Sequence, residues 1–338
     1  MDGEVGLILL QDGVVNGAVY ALLALSLVLV FAVTRVILIP QGELVAYGAL
    51  TYAALDAGRV PGSVWLLGVL GVGGFLAGLV AERRVGMGLV LETLVVPGVA
   101  IAGCLVLGPG RPGVAVEAVL TVAVVASMAP CLYRIAFAPL AGASVLVLLI
   151  ASVGVHLALT GLGLVMFGPE GFRARGFSEA RFEVGSLAIS GQAVWIVGLT
   201  VAAMAGLATF FGGTLTGKAL RATAINPLGA RLVGIAPSAS GRIAFGLAGV
   251  LGAGCGVLIV PLTTVYYDSG FLIGLKGFVA AIIGGLVSYP LAAVAAVLVG
   301  CVESFASFYA SAFKEVIVFT IIVPVLLWRS IRAPVEEE

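Results

Sequence analysis

Side chains able to do chemistry are scarce in this chain, and most stand alone. His156, the single histidine of 338 residues, lies midway along an apolar run in Gly154-Val155-His156-Leu157. Glu92 and Glu303 lie inside or at the edge of similar runs. An ionisable group at such a place is costly, and it marks a solute path, a proton relay or a buried structural bond. No second histidine or carboxylate stands beside His156 in sequence, so a hydrogen bond to a neighbouring helix and a role in moving a solute both fit. For Glu303, one turn from Ala306 and Ser307, an inward-facing structural hydrogen bond is the expectation. General-base and metal-assisted chemistry need clusters of His, Asp, Glu or Cys. None is present, and Cys104, Cys131, Cys255 and Cys301 stand singly with no C-x-x-C spacing. Gly212 to Lys218 fits the first seven positions of a phosphate-binding loop, but Ala219 replaces the magnesium-binding hydroxyl and an apolar run precedes it where a strand is required. No catalytic residue, metal site or cofactor is expected, and the chain reads as a non-enzyme.

The elements that hold these groups follow from composition. Hydrophobic residues make up 61% of the chain and charged residues 10%, whereas a soluble chain carries about 25% charge. Too few polar groups remain to coat a water-facing surface, which excludes soluble enzymes, nucleic-acid binders and disordered proteins. Seventeen basic residues balance seventeen acidic ones, so no strongly charged partner is implied and nucleic acid is not expected. Apolar segments fall at about 7–34, 44–57, 64–80, 87–107, 117–136, 143–167, 190–211, 243–260, 272–288, 291–309 and 316–328. Runs of this length suit helices that need about 20 residues to span a bilayer, not the alternating strands of a barrel. The expected fold is all-α: one polytopic membrane domain over 1–338 with about 10–11 segments, some broken or re-entrant. Because the first basic residue is Arg35, the first segment reads as a retained helix and not a cleaved leader. Glycine is abundant, with 48 residues. Small residues four apart, as in Gly74 with Gly78, Gly252 with Gly256 and Ala281 with Gly285, predict close helix crossings.

The longest polar interruption of the second half, 212–242, has its own helix grammar. Lys218 to Ala224 reads as a short helix. Asn226 followed by Pro227 is an N-cap with proline at the first helical position, and Gly234 stands where a helix from Pro227 would stop. Pro237 is expected to prevent continuation. A connector of this size between two spans exceeds the usual 2–8 residues or so, and it predicts a structured knob. With the knob on the cytoplasmic side, 10 of the 17 basic residues fall inside, including Arg35, Arg134, Arg242 and Arg329. The carboxyl terminus then lies inside; the acidic amino terminus lies outside only if all eleven segments cross, because one half-helix reverses everything upstream.

Three blocks resemble one family, the membrane permeases of the branched-chain amino acid ABC importers (the Liv system), and within it the H-type permease. The first runs from Asn16-Gly17-Ala18-Val19-Tyr20 to Gln41-Gly42-Glu43 and Tyr47-Gly48-Ala49. The second is Gly217-Lys218-Ala219-Leu220-Arg221 through Asn226-Pro227 to Ala230-Arg231-Leu232-Val233-Gly234. The third is Gly274-Leu275-Lys276-Gly277 through Gly284-Gly285, continuing to Gly300 and Glu303-Ser304. The family's usual Asn-Phe-Ala-His-Gly is here Leu38-Ile39-Pro40-Gln41-Gly42, and the stretch 84–138 resembles nothing specific. The resemblance implies that Lys218, Arg221, Asn226, Pro227, Arg231, Leu232 and Gly234 belong to a loop that docks ATPases. It also implies that Gln41, Gly42, Glu43, Gly284 and Gly285, with His156 and Glu303, border a substrate path. The partners it implies are two ATP-binding cassette ATPase subunits, a second permease of different sequence, a periplasmic substrate-binding protein and the bilayer. The expected cargo is a branched-chain or related amino acid, or a similar small polar or carboxylate solute. An ion-coupled secondary transporter is the alternative. It would need intramembrane carboxylates in two matching halves, and no repeat relates Glu92 to Glu303.

Overall fold

The computed structural model describes residues 3–82, 85–184 and 187–332. Its helices are α1 (Gly3–Thr34), α2 (Gln41–Asp56), α3 (Ser63–Glu82), α4 (Met87–Val90), α5 (Val96–Leu107), α6 (Val114–Leu132) and α7 (Val145–Phe167). A two-stranded antiparallel hairpin follows, β1 (Arg181–Val184) and β2 (Leu187–Ser190). Then come α8 (Gly191–Gly213), α9 (Leu215–Ile225), α10 (Pro227–Leu232), α11 (Pro237–Ile259), α12 (Ser269–Ile283), α13 (Tyr289–Tyr309), α14 (Lys314–Thr320) and α15 (Ile322–Arg332). The π-helical turn Leu91–Val95 joins α4 to α5, and a second, Tyr133–Phe137, extends α6.

Every one of the eleven predicted segments is helical. Among the described residues, eight helical stretches are long and apolar enough to cross a membrane, while α12 is a shorter apolar helix. The chain is an all-α, multi-pass membrane protein. The short second segment is α2, 16 residues that begin inside the bundle.

Contacts at two ends show how the chain alternates. At the knob end, Leu29 and Val33 of α1 pack with Phe211, Leu220 and Ala244, and Arg134 and Arg242 both meet Glu92. At the opposite end, Arg111 donates to the Ala57 carbonyl, Phe172 pairs with Val265 and Gln11 donates to Ala188 of the hairpin. There too the Arg175 guanidinium donates to Asp56, and that hydrogen bond raises its pKa above the ordinary value. The amino-terminal end of α1 therefore lies opposite the knob.

Lipid tails are as apolar as leucine, so helices in a bilayer associate through close packing. Here glycine permits it. A Cβ at Gly13 or Gly17 would come within 2.6 Å of the α13 backbone, and one at Gly256 within 2.2 Å of the Val45 carbonyl on α2. α1 is consequently buried almost all round from Gly17 to Val30 and forms the central post. One expectation is extended and one corrected. Pro237 does not only block the knob's last helix: it is the first residue of α11, a position where its missing N–H costs nothing. Gly285 lies beyond the end of α12, so it does not share a helix face with Ala281. With φ +77° it turns the chain after α12, where its amide donates to the Ile282 carbonyl.

Candidate functional site

The knob is built from capped helices. Thr214 accepts from the Gly217 amide to start α9, and Asn226 accepts from the Gly229 amide at 2.9 Å to start α10, with Pro227 behind it. α10 ends as the grammar requires. Gly234 adopts φ +85°, its amide donates to the Arg231 carbonyl, and Ile235 donates to Ala230. Leu220 and Ala230 are buried beneath, and Thr223 shares a 3.0 Å hydrogen bond with Ser240 of α11. The outer face is the reverse of what water selects: Leu228, Leu232 and Val233 are exposed, Leu232 by 82%. Lys218 and Arg231 are also exposed, and Arg231 has no ion-pair partner among the described residues. Arg221 leans back, its guanidinium carbon 5.9 Å from the Phe211 ring centroid.

A second locus is the amino-terminal end of α2. After α1, Arg35 takes φ +59° and the chain turns back into the bundle. Ser152 of α7 pins this return by accepting from the Ile39 amide and donating to the Ile37 carbonyl. The turn delivers Gln41, Gly42 and Glu43 to the interior, all buried. Gln41 donates to the Ala248 carbonyl of α11 at 3.0 Å, and its carbonyl oxygen has no partner among the described residues. Glu43 meets His156 Nδ1 at 2.7 Å, and its second carboxylate oxygen likewise finds no partner among the described residues. His156 stacks at a tilt 4.8 Å from Phe271 of α12. Gly42 faces Gly270 and Gly274 so closely that a Cβ on it would lie 2.0 Å from the Gly270 carbonyl oxygen. The predicted residues Gln41, Gly42, Glu43 and His156 thus form one cluster, held by α2, α7, α11 and α12.

Glu303 belongs elsewhere. It accepts from Tyr20 of α1 and from Lys276 of α12, and Lys276 also reaches Glu315 at 3.2 Å. Gly284 and Gly285 form the turn between α12 and α13, with Gly284 backed onto Ala292. They are not part of the Gln41 and His156 cluster. Lys276 is the ionisable group that reading by motif passed over. Its signal was available, because a lysine inside the apolar run 272–288 demands a buried partner. Glu92 is held by Arg134 at 2.8 Å and Arg242 at 3.0 Å, so two π-helical turns and the root of α11 are tied together just below the knob.

Among the described residues no group of three or more His, Cys, Asp or Glu is arranged to hold a metal ion. The geometry offers buried polar pairs between helices and a rigid, partly apolar projection, which suits moving a solute and receiving force.

Comparison with known proteins agrees with that description. The family model described as branched-chain amino acid transport system / permease component matches residues 86–326. The matched range takes in 86–138, where no motif was apparent, and omits the block at 13–55. The high-affinity branched-chain amino acid transport system permease protein BraD of Pseudomonas aeruginosa is 28% identical over 203 residues, 58% of this chain and 66% of that protein. The similarly described LivH proteins of Escherichia coli K12 and Salmonella typhimurium are 29% identical over 203 residues, 57% of this chain and 65% of each relative. The similarity spans just under two thirds of these relatives' length.

Proposed function

The chain belongs to the branched-chain amino acid transport system permease component family, and from that premise we propose that it is the membrane permease subunit of a bacterial ABC importer. It works in the inner membrane with two separate ATPase subunits, a second permease and a periplasmic binding protein, and it carries branched-chain or related amino acids. The knob is the cytoplasmic element that docks the ATPases. The relatives named for branched-chain amino acid transport support the cargo class.

One observation carries the reading: the capped knob that exposes Leu228, Leu232 and Val233 beside the exposed Arg231. An apolar patch rimmed by charge on a rigid body marks a protein contact. Rigidity matters because a displacement imposed on a capped helix pair reaches α11, whose first residue follows Gly234 by three positions. From there the Arg242 link to Glu92 and Arg134 passes it to α6. When ATP draws the ATPases together, the two knobs move with them, and the bundles change the side to which the path opens. The coupling must come from contacts that differ between those two states.

The test reconstitutes the chain with its ATPases, second permease and binding protein, then measures binding-protein-stimulated ATP hydrolysis together with leucine uptake. Gly234→Val has open space around it but forces a β-branched residue into the left-handed region, and Arg231→Glu inverts the charge beside the patch. Both variants should assemble and lose most of the stimulated hydrolysis and uptake. Wild-type coupling in both assembled variants would assign docking to another segment.

A further inference from the structure

Where three spans end at the root of the knob, the bundle leaves a cavity of about 560 Å³. α1 stops at Thr34, α7 begins at Val145 and α11 begins at Pro237, and residues at or beside each of these ends line it. A cavity ringed by span ends lies at the depth of lipid headgroups, at the boundary between hydrocarbon and water. α10 closes it on the knob side through Pro227 and Arg231.

The charge on its walls has one sign. Arg35 and Arg231 line the cavity, and no carboxylate lines it with them. Neither arginine has an ion-pair partner among the described residues: Arg231 is exposed, and Arg35 holds its guanidinium carbon 5.8 Å from the Phe31 ring centroid. Arg134 and Arg242, by contrast, are both held by Glu92. The φ of +59° at Arg35 costs an arginine energy and persists only where the surrounding fold imposes it. Tyr133 also lines the cavity. It is 5% exposed, and its hydroxyl, set against Gly241 in the second turn of α11, has no hydrogen bond among the described residues. Much of the remaining wall is apolar, with Val36, Phe137 and Leu148, and beside it on α7 Leu146 and Ile150 are exposed. Two unpaired guanidiniums select an anion with several acceptor oxygens, and their planar fork matches phosphate. The apolar wall selects a phosphate that carries acyl chains, because a soluble phosphate would leave that wall uncovered.

We propose that this cavity binds an anionic phospholipid, its phosphate between Arg35 and Arg231 and an acyl chain along Val36, Phe137 and Leu148. Basic pockets between spanning helices take such headgroups. One arginine belongs to α10 and the other follows α1, so the bound lipid ties the knob to the central post. The site is independent of the cargo and of the ATPases. Arg231 is also the charge beside the docking patch, whereas Arg35 has no part in docking, and the test therefore turns on Arg35.

The test titrates the purified full chain in detergent with dioctanoyl phosphatidylglycerol and, separately, with dioctanoyl phosphatidylcholine, and native mass spectrometry measures the bound lipid. No ATPase is present, so the cavity is read apart from docking. Wild type should bind phosphatidylglycerol saturably and at least about tenfold more tightly than phosphatidylcholine, whose own cation offsets its phosphate. Arg35→Gln should weaken phosphatidylglycerol about fivefold, the worth of one basic residue at a membrane surface. Arg35→Lys, which keeps the charge but loses the planar fork, should fall between that variant and wild type. The double variant Arg35→Gln with Arg231→Gln should lose the preference between the two lipids. Both side chains are exposed and hold no carboxylate, so folding survives these changes. Equal affinity of wild type for the two lipids, or phosphatidylglycerol binding indifferent to both the single and the double glutamine variants, overturns the site. Inorganic phosphate is the competitor that separates the two sources of the anion. A large excess that leaves the lipid bound supports the lipid site, and displacement at equal concentration overturns it in favour of a soluble phosphate.

Discussion

On the knob, Leu228, Leu232 and Val233 face outward while helix caps satisfy the polar backbone; inside the bundle, Glu43, Lys276 and Glu303 face inward between helices and some of their neighbours' polar atoms go unpaired. Each region inverts the rule of its own solvent. Apolar surface left in water is stabilised when a partner covers it, and buried charge in a bilayer survives only when it is paired. On the proposed function, the knob's inversion is an interface that a partner completes. The interior's inversion is already closed at Lys276, where the ammonium meets two carboxylates, and half closed at Glu43, where one oxygen finds His156 and the other no partner among the described residues.

If that contrast holds, removing interior groups damages the fold and removing knob groups damages only coupling. Lys276→Met should have the largest effect. It leaves Glu303 and Glu315 facing each other without their cation, and breaking a buried pair costs about 3–5 kcal/mol, so thermal unfolding in detergent should fall steeply. Replacing Glu303 by leucine and Glu315 by glutamine as well should recover much of the loss. A Lys276→Met protein as stable as wild type would mean that this network does not hold α1, α12 and α13 together. Gly42→Ala comes next. The new methyl would lie 2.0 Å from the Gly270 carbonyl, and overpacking of this kind costs about 1–3 kcal/mol. Equal unfolding temperatures for variant and wild type would show that α2 and α12 shift apart freely. The smallest effect on stability belongs to Leu232→Asp. A surface change away from packing stays within about 0.5 kcal/mol, yet binding-protein-stimulated ATP hydrolysis should vanish in the reconstituted complex. Retained stimulation would sharpen the comparison against the knob, leaving Arg231 as the remaining contact.

Legibility differed with the range of the interactions involved. The knob could be read almost residue by residue, because Asn226-Pro227 and Gly234 act on amides one to four positions away. The helical segments were equally plain, although α12 begins at Ser269 and ends at Ile283, where the apolar run continues to 288. The interior site was legible only in its parts. Gln41, Glu43 and His156 were singled out for separate reasons, and nothing in their spacing indicated that a carboxylate and an imidazole 113 positions apart would meet. Lys276 stood inside a motif and was read as part of it, and the groups around its ammonium, the Glu303 and Glu315 carboxylates and the Tyr20 ring, come from three other elements.

By itself the sequence determined the solvent, the helical class and the shape of the knob. Hydropathy, caps and breakers act over a few residues, within one turn of helix, and need no knowledge of neighbours. Which polar groups share a site was decided only by the tertiary structure. In lipid, helices find each other through glycine-lined contacts such as Gly17 against Val297 and Gly42 against Gly270. The rotation and depth set by those contacts bring Glu43 to His156 and Lys276 to Glu303, and take Gly284 and Gly285 into a turn.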